Sequence, residues 1–513
     1  MPEGLGQMAP GPPALSVPRR TSFELYGGTP TMDLIGRRDP CFKHPETGRE
    51  RPPIVVLLRL SWPAILEQLL LTAANYIDTA MVGSLGTDAT ASVAINSSVC
   101  FLLLGLFAAA GVGYSVQVAH ALGGNDQTRA RTAAHQAVTG GLMIGLGAAL
   151  CILPLSRFIP QWLGAEAAIL PDARRYLFFY GMGLPLQSLL AVLSAVLRCS
   201  GDTRTPLLFN AGANVLNLCF NFLFIFPTRD VVIWNQTFSF WGASLGVSGA
   251  AIGTALSNGL MGLSLMVYMT LHKSTLQLVP DGPYCPQPAV VRRALSLGTP
   301  VFLERACFSC GQLFMTRLVT SLGNVSLAAN HVAVTAEAIS YLPAQGVSFA
   351  ATAVVGQTVG GNCPALARQY GRLSGQIGLA SGFLAGILLF TLAHPLAGIF
   401  SPDQDVISLA AQMLQIVAIS EPLYGLSIVL GGVLRGTGDS RTPFFTILIG
   451  MWAVRMPLAP ILVFGFGFGL SAVWIAMVAD LMFRGILCQI FVSKINWERL
   501  SSLVSGSVQD RGT

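Results

Sequence analysis

The chain has 513 residues, of which 52% are hydrophobic and only 11% are charged, whereas soluble domains usually carry about 25% charged residues. This composition excludes an ordinary water-soluble domain, and apolar runs without alternation, as at residues 101–110, exclude an outer-membrane β-barrel. The net charge of +6 comes largely from short segments between apolar runs, so it indicates membrane topology and not a nucleic-acid partner.

The first 54 residues contain no long apolar run and are rich in Pro, Gly and Arg. A secretory signal needs an apolar core, which this segment lacks. We therefore expect residues 1–54 to form a disordered cytosolic tail.

Apolar stretches of about 20 residues, the length that crosses a bilayer as a helix, begin at about residue 61. The first group forms a predicted six-helix lobe within residues 55–271. Its predicted helices are 61–83, 90–117, 133–155, 175–197, 205–227 and 247–271.

A polar segment at 272–293, rich in Pro and Arg, cannot stay in hydrocarbon and is predicted to be a cytosolic linker. A second six-helix lobe is predicted within 294–495, followed by a cytosolic tail at 496–513. Its predicted helices are 296–321, 326–357, 372–396, 407–433, 443–465 and 468–492. The predicted fold class is an all-α membrane protein with about twelve transmembrane helices in two pseudo-symmetric lobes.

The two lobes repeat each other at one constant spacing. Glu67 recurs as Glu304, and 304 − 67 = 237. The segments 123–125 and 198–206 recur at 360–362 and 435–443 with the same shift. Because each lobe has an even number of helices, both start on the same side, and the repeat axis should follow the membrane normal.

The distribution of Lys and Arg predicts the orientation. With the N-terminus in the cytosol, most Lys and Arg of the loops, the linker and the first tail lie on the cytosolic side. Arg174 and Arg175 lie on the opposite side and are outweighed by this bias.

Two polar stripes lie within predicted membrane helices. A charged side chain there costs about 2.5–3.5 kcal/mol on insertion scales, so Asp78 is a candidate functional residue. The spacing of both stripes places each on one helix face, and we expect the two faces to meet. The stripes are Glu67, Leu71, Asn75 and Asp78 on the first helix and Asn210, Asn214, Asn217 and Asn221 on the fifth.

The second lobe does not repeat these stripes. A shift of 237 residues turns Asn75 into Gln312 and Asp78 into Met315. The four asparagines become Ile447, Met451, Val454 and Leu458. This asymmetry favours a dedicated site in the first lobe, while a buried carboxylate that only fixes helix packing is the alternative.

Several motifs, in this order, resemble the multidrug and toxic compound extrusion family over about residues 55–495. They are Ser61-Trp-Pro-Ala-Ile-Leu-Glu-Gln-Leu-Leu, Asp78-Thr-Ala-Met-Val-Gly-Ser-Leu-Gly, the doubled Leu-Arg-x-x-Gly-Asp-x-Arg-Thr-Pro loop, Gly356-Gln-x-Val-Gly-Gly, Arg455-Met-Pro-Leu and Val473-Trp-Ile-Ala-Met-Val. The resemblance implies twelve helices in two lobes and export of organic cations and related compounds, coupled to protons or sodium. It also implies a bacterial inner-membrane location.

The resemblance further implies a coupling-ion site at Asp78. The later position of the family's fifth-helix motif is often Asp, whereas this chain has Asn221. Asp78 is then the sole acid of the cluster, which favours H+ as the coupling ion over Na+. The expected site consists of Asp78, Asn217, Asn221, Thr254, Asn75 and Asn214.

A second polar network is predicted mainly in the second lobe. One interpretation is a set of buried ion pairs, such as Arg455 with Asp480 or Glu421, and the other is a substrate or sodium site. Its candidate members are Glu67, Glu304, Gln312, Glu337, Glu421, Arg455 and Asp480.

The doubled loops are predicted to be structural. Thr205-Pro206 and Thr442-Pro443 are interpreted as an N-cap followed by Pro at the first helical position.

The sequence contains no nucleotide-binding signature of the Gly-x4-Gly-Lys-Ser/Thr type. We expect no enzyme activity, metal or cofactor, and a monomer that exports small organic, cationic compounds by antiport. The alternative is a flippase of lipid-linked glycans with related architecture. The specific substrate is not predicted.

Overall fold

The computed structural model describes residues 52–233 and 236–509. The predicted tail at 1–54 lies almost wholly outside the described residues. The described chain consists of long helices joined by short turns, together with one β-hairpin.

The first lobe contains all six predicted membrane helices and a β-hairpin that the sequence did not predict. The hairpin strands β1 and β2 pair antiparallel, with Val232 opposite Thr237. The elements are α1 (Pro53–Gly83), α2 (Thr87–Gly123), α3 (Gln127–Leu155), the short α4 (Ile159–Trp162), α5 (Leu170–Cys199), α6 (Arg204–Ile225), β1 (Pro227–Ile233), β2 (Gln236–Ala243) and α7 (Val247–Leu271).

The second lobe repeats this order of helices with two irregular spans. Its elements are α8 (Pro288–Thr320), α9 (Asn324–Gly360), α10 (Pro364–Thr391), α11 (Ala393–Phe400), α12 (Gln404–Ala418), α13 (Glu421–Thr437), α14 (Arg441–Leu448), α15 (Met456–Pro460), α16 (Gly469–Ser493) and α17 (Trp497–Gln509), with π-helical turns at Ile449–Arg455 and Ile461–Gly465.

Ten helical spans of the described chain are long and apolar enough to cross a membrane, and α12 with α13 forms another span that is bent by 60°. The bend, which the predicted straight helix 407–433 did not include, precedes Pro422, whose nitrogen carries no hydrogen for the helical bond. The 33-residue α8 is not among these spans, because it carries more charged residues than they do. It corresponds by the repeat to α1 of the first lobe. The predicted two-lobe helical fold is confirmed.

The ends of the second lobe differ from their predicted positions. Helix α8 begins at Pro288, inside the predicted linker, so that 272–287 alone joins α7 to α8. Within the predicted C-terminal tail, Trp497–Gln509 forms α17, whose Trp497 is buried against the second-lobe core.

The doubled loops are structural, but the predicted caps are wrong by a few residues. Oδ1 of Asp202 accepts hydrogen bonds from the backbone nitrogens of Arg204 and Thr205 at 3.1 and 3.0 Å. Asp439 does the same for Arg441 and Thr442, at 3.0 Å each. The aspartates therefore cap the helices, because a carboxylate satisfies free N–H groups of the first turn.

The lobes meet on the side of the linker through two equivalent hydrogen bonds. His120 Nε2 lies 2.9 Å from the carbonyl oxygen of Gly436, and Gln357 Nε2 donates to that of Cys199 at 2.9 Å. The repeat relates both pairs, since 357 − 120 = 237 and 436 − 199 = 237. Gly360 permits the close approach, because a Cβ there would lie 2.2 Å from the His120 carbonyl oxygen.

Candidate functional site

Helices α1 and α6 run side by side with their polar stripes facing each other, as the spacing predicted. Asn210 Nδ2 donates to Glu67 Oε1 at 3.0 Å, and Asn221 Nδ2 donates to Asp78 Oδ1 at 2.8 Å. The two pairs share one offset, since 210 − 67 = 143 and 221 − 78 = 143. The difference between the residue numbers of the two partners is therefore constant, which means that α1 and α6 run in the same direction.

Asp78 is surrounded by amides and a hydroxyl. Asn217 lies between Asp78 and Thr254, and one orientation of its amide satisfies both neighbours. Its nitrogen then lies 2.6 and 3.0 Å from Oδ1 and Oδ2 of Asp78, and its oxygen accepts from the Thr254 hydroxyl at 3.1 Å. Three helices, α1, α6 and α7, thus supply one polar cluster.

The depth of the cluster differs from residue to residue. Asn221 is fully buried and Asn217 is 6% exposed, while Asp78 is only partly buried. Gly253 on α7 makes room for the amide, because a Cβ there would lie 2.4 Å from Asn221 Oδ1. The amides are therefore held firmly, while the carboxylate can be reached.

The chemistry of the cluster suits a single small cation. No Lys or Arg forms an ion pair with Asp78 in the part of the chain that the structure describes. The buried Oδ1 of Asn221 has no hydrogen-bond partner there, although such acceptors usually have one. A proton on Asp78 would neutralise its charge, and a cation would satisfy both oxygens.

Asn75 and Asn214, the two remaining members of the predicted site, make no described hydrogen bond to Asp78. Asn75 is exposed, and its carbonyl oxygen accepts from Thr79. Nδ2 of Asn214 is buried without a partner. The structure thus gathers four of the six predicted residues.

Glu67 belongs to an ion pair instead of the Asp78 cluster. Arg198 Nη1 donates to Glu67 Oε1 at 2.7 Å. Asp78 lies 78 − 67 = 11 residues further along α1, about 16 Å at the rise of an α-helix. Glu304 and Arg435 form the equivalent pair in the second lobe, at 2.7 and 2.9 Å.

The predicted direct pairing of Arg455 with Asp480 or Glu421 is wrong, although Arg455 lies within electrostatic range of Asp480 and Glu337. Asp480 is fully buried and pairs with Arg484, one turn along α16. Arg455 donates to the sulfur of Met477 at 3.2 Å. Arg484 thus forms the ion pair with Asp480 that was predicted for Arg455.

Two acids of the second lobe lie close together without a described ion pair. Glu421 accepts from Ser340 at 2.9 Å, and Glu337 lies within electrostatic range of Glu421 and Arg455. The side chain of Gln312 makes no hydrogen bond that the structure describes.

In the second lobe, the positions that the repeat relates to the Asp78 cluster belong to the apolar core. Met315, the counterpart of Asp78, is 3% exposed, and Met451, the counterpart of Asn214, is fully buried in the same cluster. Leu458, the counterpart of Asn221, packs against that cluster. The predicted asymmetry between the lobes is confirmed.

The sequence reasoning missed Arg198, Arg435 and Arg484 as partners of acids. The repeat contained a signal, since Glu67 with Arg198 and Glu304 with Arg435 share the separation 198 − 67 = 435 − 304 = 131. Asp480 and Arg484 have the i, i+4 spacing of a helical ion pair.

Comparison with known proteins agrees with this architecture. The MatE family model matches residues 63–223 and 300–461, one match in each lobe. The probable multidrug resistance protein NorM of Thermotoga maritima is 28% identical over 457 residues, which cover 89% of this chain and 96% of that protein.

Two solved structures show the same fold. A MOP superfamily transporter from Pyrococcus furiosus superimposes with a TM-score of 0.80 at 20% identity, covering 88% of this chain and 97% of that one. A mutant of the Vibrio cholerae MATE transporter VcmN gives a TM-score of 0.79 at 18% identity, covering 87% and 98%.

Proposed function

The chain belongs to the MatE family of membrane transporters, and on this basis we propose that it is an antiporter that exports small organic cations in exchange for protons. The observation that carries the proposal is the partly buried Asp78, held by Asn217 and Asn221 in one lobe only. A relative named as a probable multidrug resistance protein supports small organic compounds as the cargo.

The proposed cycle rests on competition at one carboxylate. Asp78 lies near the end of α1 that is away from the linker. The lobes touch on the linker side and also beside Asp78, where the Tyr76 hydroxyl donates to the Thr335 carbonyl oxygen at 3.1 Å. A proton that enters from the far side neutralises Asp78 and removes the negative charge that attracts a cationic cargo. Cargo and proton therefore exclude each other, and each promotes the state that releases the other.

Sodium is the alternative coupling ion. Na+ needs several oxygen ligands, and Asp78, Asn221 and Thr254 offer carboxylate, amide and hydroxyl oxygens. Proton coupling is preferred because the cluster holds a single acid. Transport that continues in the presence of an uncoupler but stops without Na+ would replace the proton by sodium in this scheme.

We further propose a bacterial inner-membrane location with the N-terminus in the cytosol, and a monomeric transporter. The linker-side ends of the helices carry Arg129, Arg131, Arg368, Arg372 and Lys494, and such a bias marks the cytosolic side.

Transport by reconstituted protein tests the proposal. In vesicles with an imposed proton gradient, the Asp78→Asn variant should lose the uptake of a cationic dye such as ethidium that this gradient drives, since residue 78 can then no longer bind or release a proton. Asp88→Asn is the matched control, because Asp88 is an exposed acid in the first turn of α2 on the same side of the protein. Full activity of Asp78→Asn would refute the proposed role.

A further inference from the structure

A groove in the second lobe has no part in the proposed exchange. It lies on the linker side between α10, α13, α16 and α17 and encloses about 910 Å³. Asp78 is in the other lobe, toward the other end of the helices, so the groove is a separate feature of the molecule.

The groove changes from polar to apolar along one face of α10. Arg368, Arg372, Gln376 and Leu379 follow each other at intervals of four, four and three, and all four are exposed. Arg368 and Leu379 are 379 − 368 = 11 residues apart, about 16 Å along the helix. The groove therefore extends from the membrane surface into the depth of one lipid leaflet.

The apolar wall comes from α13. Leu423, Leu426 and Leu430 line the groove opposite the α10 face. A long apolar chain would find hydrocarbon on both sides there, while a polar group at its end would lie beside the arginines.

The repeat-related groove in the first lobe is already filled by the chain. Arg368 and Arg372 correspond to Arg131 and His135, since 368 − 131 = 372 − 135 = 237. Arg131 Nε donates to the carbonyl oxygen of Thr275 at 3.0 Å, and His135 Nε2 accepts from the backbone nitrogen of Val279 at 3.0 Å. The linker residues Leu276 and Leu278 are buried beside them.

In the second lobe α17 covers the corresponding place only in part. Trp497 reaches Gly371, where an added Cβ would lie 3.2 Å from the ring. Beyond Trp497 no described residue fills the groove. The two lobes thus have repeat-related grooves, and in the second lobe no described segment of the chain binds the polar groups that the linker binds in the first.

The charge of the groove selects an anion. Arg368 and Arg372 form no ion pair with the described residues. Glu498 is the one acid in the lining, so the two arginines outweigh it. Arginine binds phosphate oxygens through paired N–H donors.

We propose that this groove binds an anionic phospholipid of the linker-side leaflet, with its phosphate at Arg368 and Arg372. One acyl chain lies along Leu379, Leu426 and Leu430. Basic pockets between membrane helices on the cytosolic side bind such headgroups in general.

Lipid titration of the purified full-length protein tests this inference. Native mass spectrometry in detergent should show preferential binding of phosphatidylglycerol over phosphatidylcholine. The double variant Arg368→Gln/Arg372→Gln should bind phosphatidylglycerol at least about tenfold more weakly. The matched control Arg204→Gln/Arg441→Gln removes two exposed arginines from the same membrane face, outside the groove, and should bind as the wild type does.

Two further measurements separate a lipid from a bare phosphate. Gln376→Trp, which fills the groove without changing its charge, should also weaken phosphatidylglycerol binding, and millimolar inorganic phosphate should not displace the lipid. Equal loss in the control variant, no loss in the groove variant, or full displacement by inorganic phosphate would each overturn the inference.

Discussion

At the scale of single residues, an arginine partner distinguishes three membrane-buried acids from Asp78, Glu337 and Glu421, which form no described ion pair. Glu67, Glu304 and Asp480 each face an arginine, whereas Asp78 faces only neutral groups. A paired carboxylate keeps its charge and stays in place. An acid held by neutral amides can gain and lose a proton without leaving an arginine unpaired.

The Asp480–Arg484 pair predicts a large stability effect. Arg484→Met should lower the free energy of unfolding by about 3–5 kcal/mol, because it leaves Asp480 charged, fully buried and without its partner. Unfolding in mixed micelles, followed by circular dichroism, measures this.

The double variant Asp480→Asn/Arg484→Met is the control, since it removes both charges and should recover part of the loss. A loss of less than about 1 kcal/mol in the single variant would mean that the pair is not structural.

These pairings could be predicted only in part from the sequence. The asparagine and acid stripes follow from helical spacing, so the contact between Asp78 and Asn221 could be predicted. The i, i+4 spacing pointed to Arg484 as the partner of Asp480, but the expected partner Arg455 could not be excluded without the path of the eleventh span. That span contains π-helical turns, which change the direction of each side chain after Ile449.

At the scale of helices, close packing of α7 on α6 positions the amides around Asp78. Gly253 leaves space that any side chain would fill, so the placement of Asn221 depends on a missing Cβ on a neighbouring helix. Sequence spacing alone could not reveal this dependence, because Gly253 lies on a different helix from the residue that it serves.

We therefore expect the Gly253→Ala variant to fold but to transport its cargo more slowly. The new methyl group should displace the Asn221 amide from Asp78, a charged hydrogen bond worth about 1.5–3 kcal/mol, and slow proton-driven dye uptake roughly tenfold. Uptake in vesicles, with folded protein measured by size-exclusion chromatography, provides the readout.

Gly147→Ala is the matched control, since nothing lies within 4 Å of a Cβ at that position of α3. Equal transport by both variants would show that the Asn221 contact does not matter for coupling.

At the scale of the whole molecule, a repeated architecture contains a site that is not repeated. The duplication could be predicted from one constant offset, and it also accounts for the paired contacts of His120 and Gln357 across the lobes. The β-hairpin, the bend before α13 and helix α17 lie where the lobes differ, so the repeat gave no information about them. In the second lobe the place of Asp78 is filled by Met315.

The central claim is that proton and cargo compete for Asp78, and proton release on cargo binding tests it most directly. Ethidium is added to purified protein in weakly buffered detergent solution over a series of starting pH values, and an indicator dye reports the protons released. The wild type and Asp88→Asn should release up to about one proton for each ethidium bound, and Asp78→Asn should release none. Release by Asp78→Asn equal to that of the wild type, or no release by the wild type at any pH, would contradict the account.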